Sequence, residues 1–398
     1  MTPLMQGFPP PPEGQVTLAN WRTAPFNRWA FHHVRELIPT ADIPNDPARV
    51  WPLPAAPVDL GRLRLADEHD RPLSFAEFLD RTDTDGLVVL HRGRVVFEHY
   101  AHGMTADSPH ILMSVSKSLL GLLAGALEAA GDLDPDRPVT DLVPEVAATA
   151  YRGATIRHLL DMRAGVAFDE DYLAASGPIV AYRKAAGWNP PQPGDRPTDL
   201  RSFLGELTTS SGAHGGPFNY VSPNTDLLGW VIERATGRRY ADLASERLWK
   251  PLGAAGSAYV TVDRLGAPRC AGGVCATVRD LALVGRLVVE GGRREGTPIV
   301  PARWIEDIIH CGDPDAWAAG PFTAYYPGLP IHYRSQWYVL RGDPPLLFAL
   351  GIHGQNLFVD RRHELVVAKV SSQALPIDAR CIALTMRAVA ALRRFLAG

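Results

Sequence analysis

Ser114 and Lys117 stand three residues apart in Met113-Ser-Val-Ser-Lys-Ser-Leu-Leu120. On a helix that spacing puts both side chains on one face, one turn from each other. The Lys117 amine then reaches the Ser114 hydroxyl. A serine hydroxyl is a poor nucleophile at neutral pH and needs a base beside it. A lysine with an unperturbed pKa of about 10.4 keeps its proton at pH 7. Burial, or a second cation nearby, must release it. The Ser114 amide, at a helix N-terminus, has no partner within the helix and is free to donate to an oxyanion.

Alone, Ser-x-x-Lys is a weak signal, and a solvated first turn of an ordinary helix is its bland explanation. The following residues reverse that balance. From Leu119 to Gly131 the chain is apolar almost all round, so this helix should be central and buried. A lysine at the mouth of a buried helix must be paired or neutralised. That points to a site.

Two further groups could complete it. Phe218-Asn-Tyr-Val-Ser-Pro-Asn224 precedes a helical stretch. Tyr220 could relay a proton between serine and leaving group if its hydroxyl met Lys117. Ser222 or Asn224 could equally cap the helix, and both roles are compatible. Ala349-Leu-Gly-Ile-His-Gly-Gln-Asn356 ends a strand. Gly351 allows close backbone approach there, and an edge amide could complete an oxyanion hole. His353 invites assignment as a general base, but a hydrogen-bonded structural histidine is the favoured reading. A Ser–His–acid triad stays open, because such triads are not local in sequence. No G-x-S-x-G elbow, H-E-x-x-H or P-loop occurs. Tyr172 follows the acidic run Asp169-Glu-Asp171; it belongs to a solvated loop or to a lid that closes over substrate.

These residues need elements to hold them. Gly86–Tyr100 reads as a β-hairpin, two β-branched runs about a turn at His91-Arg-Gly-Arg94. A hairpin alone is too small to be stable. Its partners are found at the other end of the chain, where Ser335–Leu340, Leu346–Ile352, Asn356–Asp360 and Glu364–Ser371 read as an antiparallel meander. One sheet built from both ends of the chain follows. Residues 1–130 and 254–398 therefore form an α/β domain, and residues 131–253 an inserted helical domain with long loops that carries Tyr172 and Tyr220. Within the insert, helices are expected at Ile156–Met162 after Thr155, at Leu200–Leu207 after Thr198 or Asp199, at Thr225–Thr236 and at Tyr240–Leu248. Ala276–Glu290, Pro301–His310 and Ile377–Leu396 read as helices of the last third. Residues 1–20 form a Pro-rich arm, either a mobile leader or a strap across the body.

The composition is that of an ordinary globular protein: 398 residues, 46% hydrophobic, 21% charged, net charge −3. No basic excess suggests nucleic acid. The start has no charged n-region followed by an apolar run, and no stretch suits a membrane span, so the expected location is cytoplasmic. Cys270, Cys275, Cys311 and Cys381 form no C-x-x-C pair, which disfavours a zinc site or a disulfide framework.

In order and spacing, the Ser114–Lys117 helix, Tyr220 and the Gly351 strand resemble the penicillin-recognising serine hydrolases: class C β-lactamases, DD-peptidases and related esterases. The likeness covers nearly the whole chain. It includes Asn27-Arg-Trp-Ala-Phe31, Asp169–Tyr172, Ala186-Gly-Trp188, Asn224-Thr-Asp226, Gly272-Gly-Val274, Arg279-Asp-Leu281 and Gly351–Asn356, and it runs to the branch that hydrolyses nylon oligomers. The resemblance implies an α+β fold with a central antiparallel sheet flanked by helices, an all-helical domain beside it, and the active site between them. Ser114 would attack the carbonyl of a small amide or ester. Lys117 and Tyr220 would handle its proton, and the Ser114 and Ile352 amides would form the oxyanion hole. Tyr172, Trp188, Arg183, Ser222, Ala271, Gly351 and His353 would meet the substrate. No metal, cofactor, nucleic acid or membrane is implied, and a homodimer is left open.

Four positions depart from the pattern. The β-lactamase Lys-Thr-Gly is replaced by Ala349-Leu-Gly351, and the asparagine two residues after the tyrosine is Ser222. Both suit the amidase and esterase branch rather than β-lactamase activity. The acidic residue expected after the lid tyrosine, to face a substrate ammonium, is replaced by Tyr182-Arg-Lys184, and an expected asparagine by Ala271. A carboxylesterase of short acyl chains fits as well as a nylon-oligomer amidase.

Overall fold

The hairpin strands β1 (Thr84–His91) and β2 (Arg94–Tyr100) are extended because β-branched and apolar residues dominate both runs. In the computed structural model, which describes residues 3–67 and 69–397, they join a C-terminal meander. Its strands are β3 (Ile331–Arg334), β4 (Trp337–Leu340), β5 (Leu346–Gly351), β6 (Gln355–Asp360) and β7 (Leu365–Ser371). The sheet order is β3-β4-β5-β6-β7-β1-β2, antiparallel throughout. The chain ends meet where β7 pairs with β1, Val367 opposite Val89.

β1 is buried on both faces, which is why it reads as a continuous apolar run. Val88 and Leu90 face one core, Leu87 and Val89 the other. The first face is covered by a helix over Val278–Val289, capped by Thr277, whose Oγ1 accepts from the Asp280 amide at 3.0 Å. The second is covered by the C-terminal helix, Ala379–Ala397.

Helix α1 (Val115–Ala129) is buried on nearly every side, as its composition demands. At Gly121 a Cβ would lie 2.2 Å from the Ser335 carbonyl oxygen. Only glycine lets the β3–β4 turn settle onto this helix. The same core runs on through α1 into the helical section, which contains α2 (Ile156–Leu160), α3 (Pro178–Ala185), α4 (Leu200–Leu204) and α5 (Ser222–Thr236).

Several element bounds differ from the sequence expectation. β3 is an edge strand with no clear signal. It is joined to β4 by Ser335 and Gln336, both at positive φ (48° and 67°), so Ser335–Gln336 is turn rather than strand. Such a turn ordinarily takes glycine or asparagine. Here tertiary bonds hold it: Gln336 Nε2 donates to the Leu159 and Leu160 carbonyls at 2.9 and 3.0 Å, and the Ser335 amide to Asp161 Oδ1 at 2.9 Å. α2 stops short because Met162 takes φ 55°. The helix at Tyr240 continues to Leu252 through a π-helical turn at Ser245–Trp249. α5 begins at Ser222, with Val221 as its cap residue and no side-chain cap. The N-terminal segment is a strap rather than a free leader: Gly14, Val16 and Trp21 are buried, and the Trp21 indole donates to the Trp188 carbonyl at 2.9 Å. No helix among the described residues is long and apolar enough to cross a membrane.

Candidate active site

Ser114 lies at the start of α1, directly after Met113, whose φ is 44°. A non-glycine residue in that region is strained, and the turn lifts the Ser114 side chain to the mouth of a cleft. One helical turn on, Lys117 is 1% exposed. Its Nζ lies 2.9 Å from Ser114 Oγ, 3.0 Å from Ser222 Oγ and 2.7 Å from the Ala271 carbonyl oxygen. Burial lowers the Lys117 pKa to about 7, with Glu170 opposing, Arg269 adding to the fall and Asp226 opposing. Of the three partners only the carbonyl must accept. A neutral amine can donate to Ala271 and Ser222 and still turn its lone pair on Ser114.

Tyr220 precedes α5, and its ring lies 4.8 Å from Lys117 Nζ. Burial and then Glu170 push its phenol up, while its contact with the Ser114 hydroxyl pulls the other way. The phenol therefore stays neutral at pH 7, and of the pair only Lys117 is poised as a base.

The end of β5 meets the Met113–Ser114 turn closely. At Gly351 a Cβ would come 2.7 Å from the Leu112 carbonyl oxygen and 3.0 Å from Met113 Cβ. This approach brings Ile352 to the rim beside Ser114, and both line the cleft. The Ser114 and Ile352 amides have no backbone acceptor among the described residues.

The cleft has two arms that share Ser114, Tyr172 and Ile352. The larger is mainly apolar and holds the aromatic rings of Tyr220, Phe322 and Tyr326. The smaller is polar and contains Arg183, Trp188, Ser222 and Ala271, together with Arg22, Glu170 and Arg269. Tyr172 Oη reaches Glu170 Oε2 at 3.4 Å, and the Tyr172 carbonyl accepts from Arg183 Nη2 at 2.9 Å. His353 lies behind this wall and lines neither arm. Its Nδ1 faces the Gln373 carbonyl at 2.7 Å, its ring packs on Phe31, and burial lowers its pKa to about 4. Its expected place among the substrate contacts is therefore corrected, and it is no base for Ser114. Ser222 meets Lys117 rather than capping α5. Asn224 accepts from Tyr151 Oη at 3.0 Å and does not cap either.

Four residues beyond the set marked by the sequence contribute. Asp226 on α5 pairs with buried Arg269 and accepts from the Ala271 amide at 2.8 Å, so it holds the carbonyl that receives Lys117. Burial works against the charge on Arg269, but Asp226 and Tyr182 keep it protonated. Glu170 leaves its acidic run and turns inward. Burial raises its pKa against Lys117, and its Oε1 has no hydrogen-bond partner among the described residues. Arg22 comes from the N-terminal strap. The acidic run and the Asn-Thr-Asp segment are the available signals for two of these; none marks Arg22 or Arg269.

A family model described as Beta-lactamase matches residues 74–392. The chain is 39% identical to 6-aminohexanoate-dimer hydrolase of Paenarthrobacter ureafaciens over 369 residues, 92% of this chain and 90% of that one. It is 30% identical to Esterase EstB of Burkholderia gladioli over 171 residues, 40% of this chain and 41% of the relative. A solved structure from Bacillus anthracis, provisionally described as a 6-aminohexanoate-dimer hydrolase, superposes with a TM-score of 0.87 at 26% identity, over 97% of this chain and 98% of that one.

Proposed function

The chain belongs to the beta-lactamase family and is a serine hydrolase; from that premise we propose that it cleaves small linear amides and short-chain esters through an acyl-enzyme on Ser114. The observation that carries the reading is the buried Lys117 amine, 2.9 Å from Ser114 Oγ with a pKa lowered to about 7. Neutral Lys117 takes the hydroxyl proton as Oγ bonds to the substrate carbonyl carbon. The Ser114 and Ile352 amides receive the oxyanion that forms. The proton passes by way of the neutral Tyr220 phenol to the leaving nitrogen or oxygen, whose bond to carbon breaks. Water then enters in place of the leaving group and bonds to the acyl carbon, the same groups take its proton and return one to Ser114 Oγ, and the Oγ–carbon bond breaks to release the acid. Tyr172, on the loop over both arms, closes on the bound substrate.

Hydrolysis of 6-aminohexanoate oligomers has the 39% identical relative in its support. An esterase without that activity is the second reading, favoured by Arg183 and Ala271 in the polar arm, where the one carboxyl, Glu170, is engaged with Lys117 and Ser222 and has a raised pKa. The test sets wild type beside Ser114→Ala on a short-chain p-nitrophenyl ester and on the linear 6-aminohexanoate dimer. Wild type hydrolyses the ester, and Ser114→Ala lowers kcat/KM by roughly 10³-fold or more. Cleavage of the dimer as well establishes the first reading, and ester cleavage alone the second. Turnover that survives in Ser114→Ala overturns the mechanism. A chain that neither turns over nor takes a fluorophosphonate label on Ser114 is a non-catalytic binder.

A further inference from the structure

Two guanidinium groups in the polar arm have no carboxylate of their own. Arg183 is 8% exposed, and its side chain donates to the Tyr172 carbonyl. Arg22 donates through Nη2 to the Asn189 side-chain oxygen, while its Nε is buried without an acceptor. Arg269, the third cation of the arm, is matched by Asp226. Arg22 and Arg183 form no ion pair among the described residues. Burial and then Arg183 and Arg269 lower the Arg22 pKa, to about 9. Burial lowers that of Arg183 too, with Arg269 adding and Tyr172, Glu170 and Asp171 opposing. Glu170 is the one carboxyl lining this arm. It is engaged with Lys117 and Ser222, and its own pKa is raised, so it is a weak counter-charge.

Charges withdrawn from water without a counter-charge are costly. Buried Arg183 and half-buried Arg22, kept beside a nucleophile, suit an anion that arrives with the substrate. The planar fork of a guanidinium matches a carboxylate in particular. Which side of the scissile bond carries that anion follows from Tyr220. This residue lines only the aromatic arm, and a leaving group must sit by the acid that protonates it. The polar arm is left for the acyl chain. We propose that Arg22 and Arg183 form a carboxylate-binding subsite, so that the preferred substrates are amides or esters whose acyl chain ends in a carboxylate, the half-amides and half-esters of dicarboxylic acids. The assignment rests on the acyl-enzyme reading above.

Three p-nitrophenyl esters of matched length test it: adipyl, ending in carboxylate; heptanoyl, ending in methyl; and 6-aminohexanoyl, ending in ammonium. Wild type should give a kcat/KM roughly 10-fold higher for adipyl than for heptanoyl, as a charge-assisted hydrogen bond to a buried site provides, with 6-aminohexanoyl the poorest. Arg183→Gln and Arg22→Gln should each bring the adipyl-to-heptanoyl ratio toward one, and Arg183→Glu should turn the preference toward 6-aminohexanoyl. A wild-type ratio at or below one overturns the subsite. So does a ratio left intact in both glutamine variants, which would make the arginines tethers of the Tyr172 loop and the N-terminal strap. If wild type cleaves none of the esters, the acyl-enzyme reading fails by itself. Calorimetry with free adipate then decides the subsite: binding lost in the glutamine variants supports it, and binding unchanged or absent in wild type overturns it.

Discussion

Lys117 works as a base only when it has lost its proton, and its surroundings decide when that happens. Burial brings its pKa to about 7. Below that value the amine is charged and its three contacts are all donated hydrogen bonds. Above it the lone pair is free for Ser114. For a neutral ester, kcat/KM should therefore fall about tenfold per pH unit below this pKa and level off above it. A stopped assay from acid to mildly alkaline pH, with protein stability followed in parallel, checks this; a flat profile would remove Lys117 from the role. The linked stability has a definite sign. The folded chain gives up this proton near pH 7 and the unfolded chain near 10.4, so in that window the unfolded state binds more protons and this group's contribution to stability rises with pH. Ser114, Lys117 and Tyr220 were legible in the sequence because helical spacing and family likeness mark them. Glu170 and Arg269 were not, because what makes them part of the site is contact with Lys117 and Asp226, far away along the chain.

At the scale of elements, the site depends on how closely β5 approaches the turn before α1. Gly351 sets that distance. Replacing it by alanine places a methyl 2.7 Å from the Leu112 carbonyl and 3.0 Å from Met113 Cβ, so strand and turn must part. Overpacking of this kind costs about 1–3 kcal/mol, but the larger effect falls on catalysis. Ile352 follows directly, and misplacing a catalytic group by about 1 Å costs on the order of 100-fold. Gly351→Ala should lower kcat by roughly that factor, with only a few degrees lost in Tm; kinetics and thermal melts on one preparation measure both. Unchanged kcat would remove the Ile352 amide from the oxyanion site. Strand and helix types followed from periodicity in most of the chain. Some of the exceptions share one physical cause. Met113, Met162, Ser335 and Gln336 all adopt positive φ without being glycine, and at the β3–β4 turn the bonds from the Leu159–Asp161 segment impose it. A local pattern contains no sign of such bonds.

At the scale of the whole molecule, the polar arm is assembled from segments that only the complete fold brings together. The N-terminal strap gives Arg22, the helical section Glu170 and Arg183, and the α/β part Arg269. The sheet closes from both chain ends, and that closure is legible because the hairpin alone is too small to be stable. The sequence leaves the strap open against a free leader. Its prolines and glycines have no period, and its anchor is a partner 167 residues away. Trp21 is that anchor. It is 1% exposed, packs edge-on against Phe31 and Trp188 with ring centroids 6.0 and 5.2 Å away, and donates its indole N–H to the Trp188 carbonyl. Trp21→Ala should destabilise the fold by about 3–5 kcal/mol, as truncation of a buried aromatic does, and lower the urea midpoint accordingly. Trp188 and Arg22 line the polar arm, so discrimination between acyl chains should weaken together with stability, even at temperatures where the variant is fully folded. A midpoint and a substrate preference both equal to wild type would mean that the sheet, the insert and the cleft close without the strap. In that case Arg22 would be held by Asn189 alone.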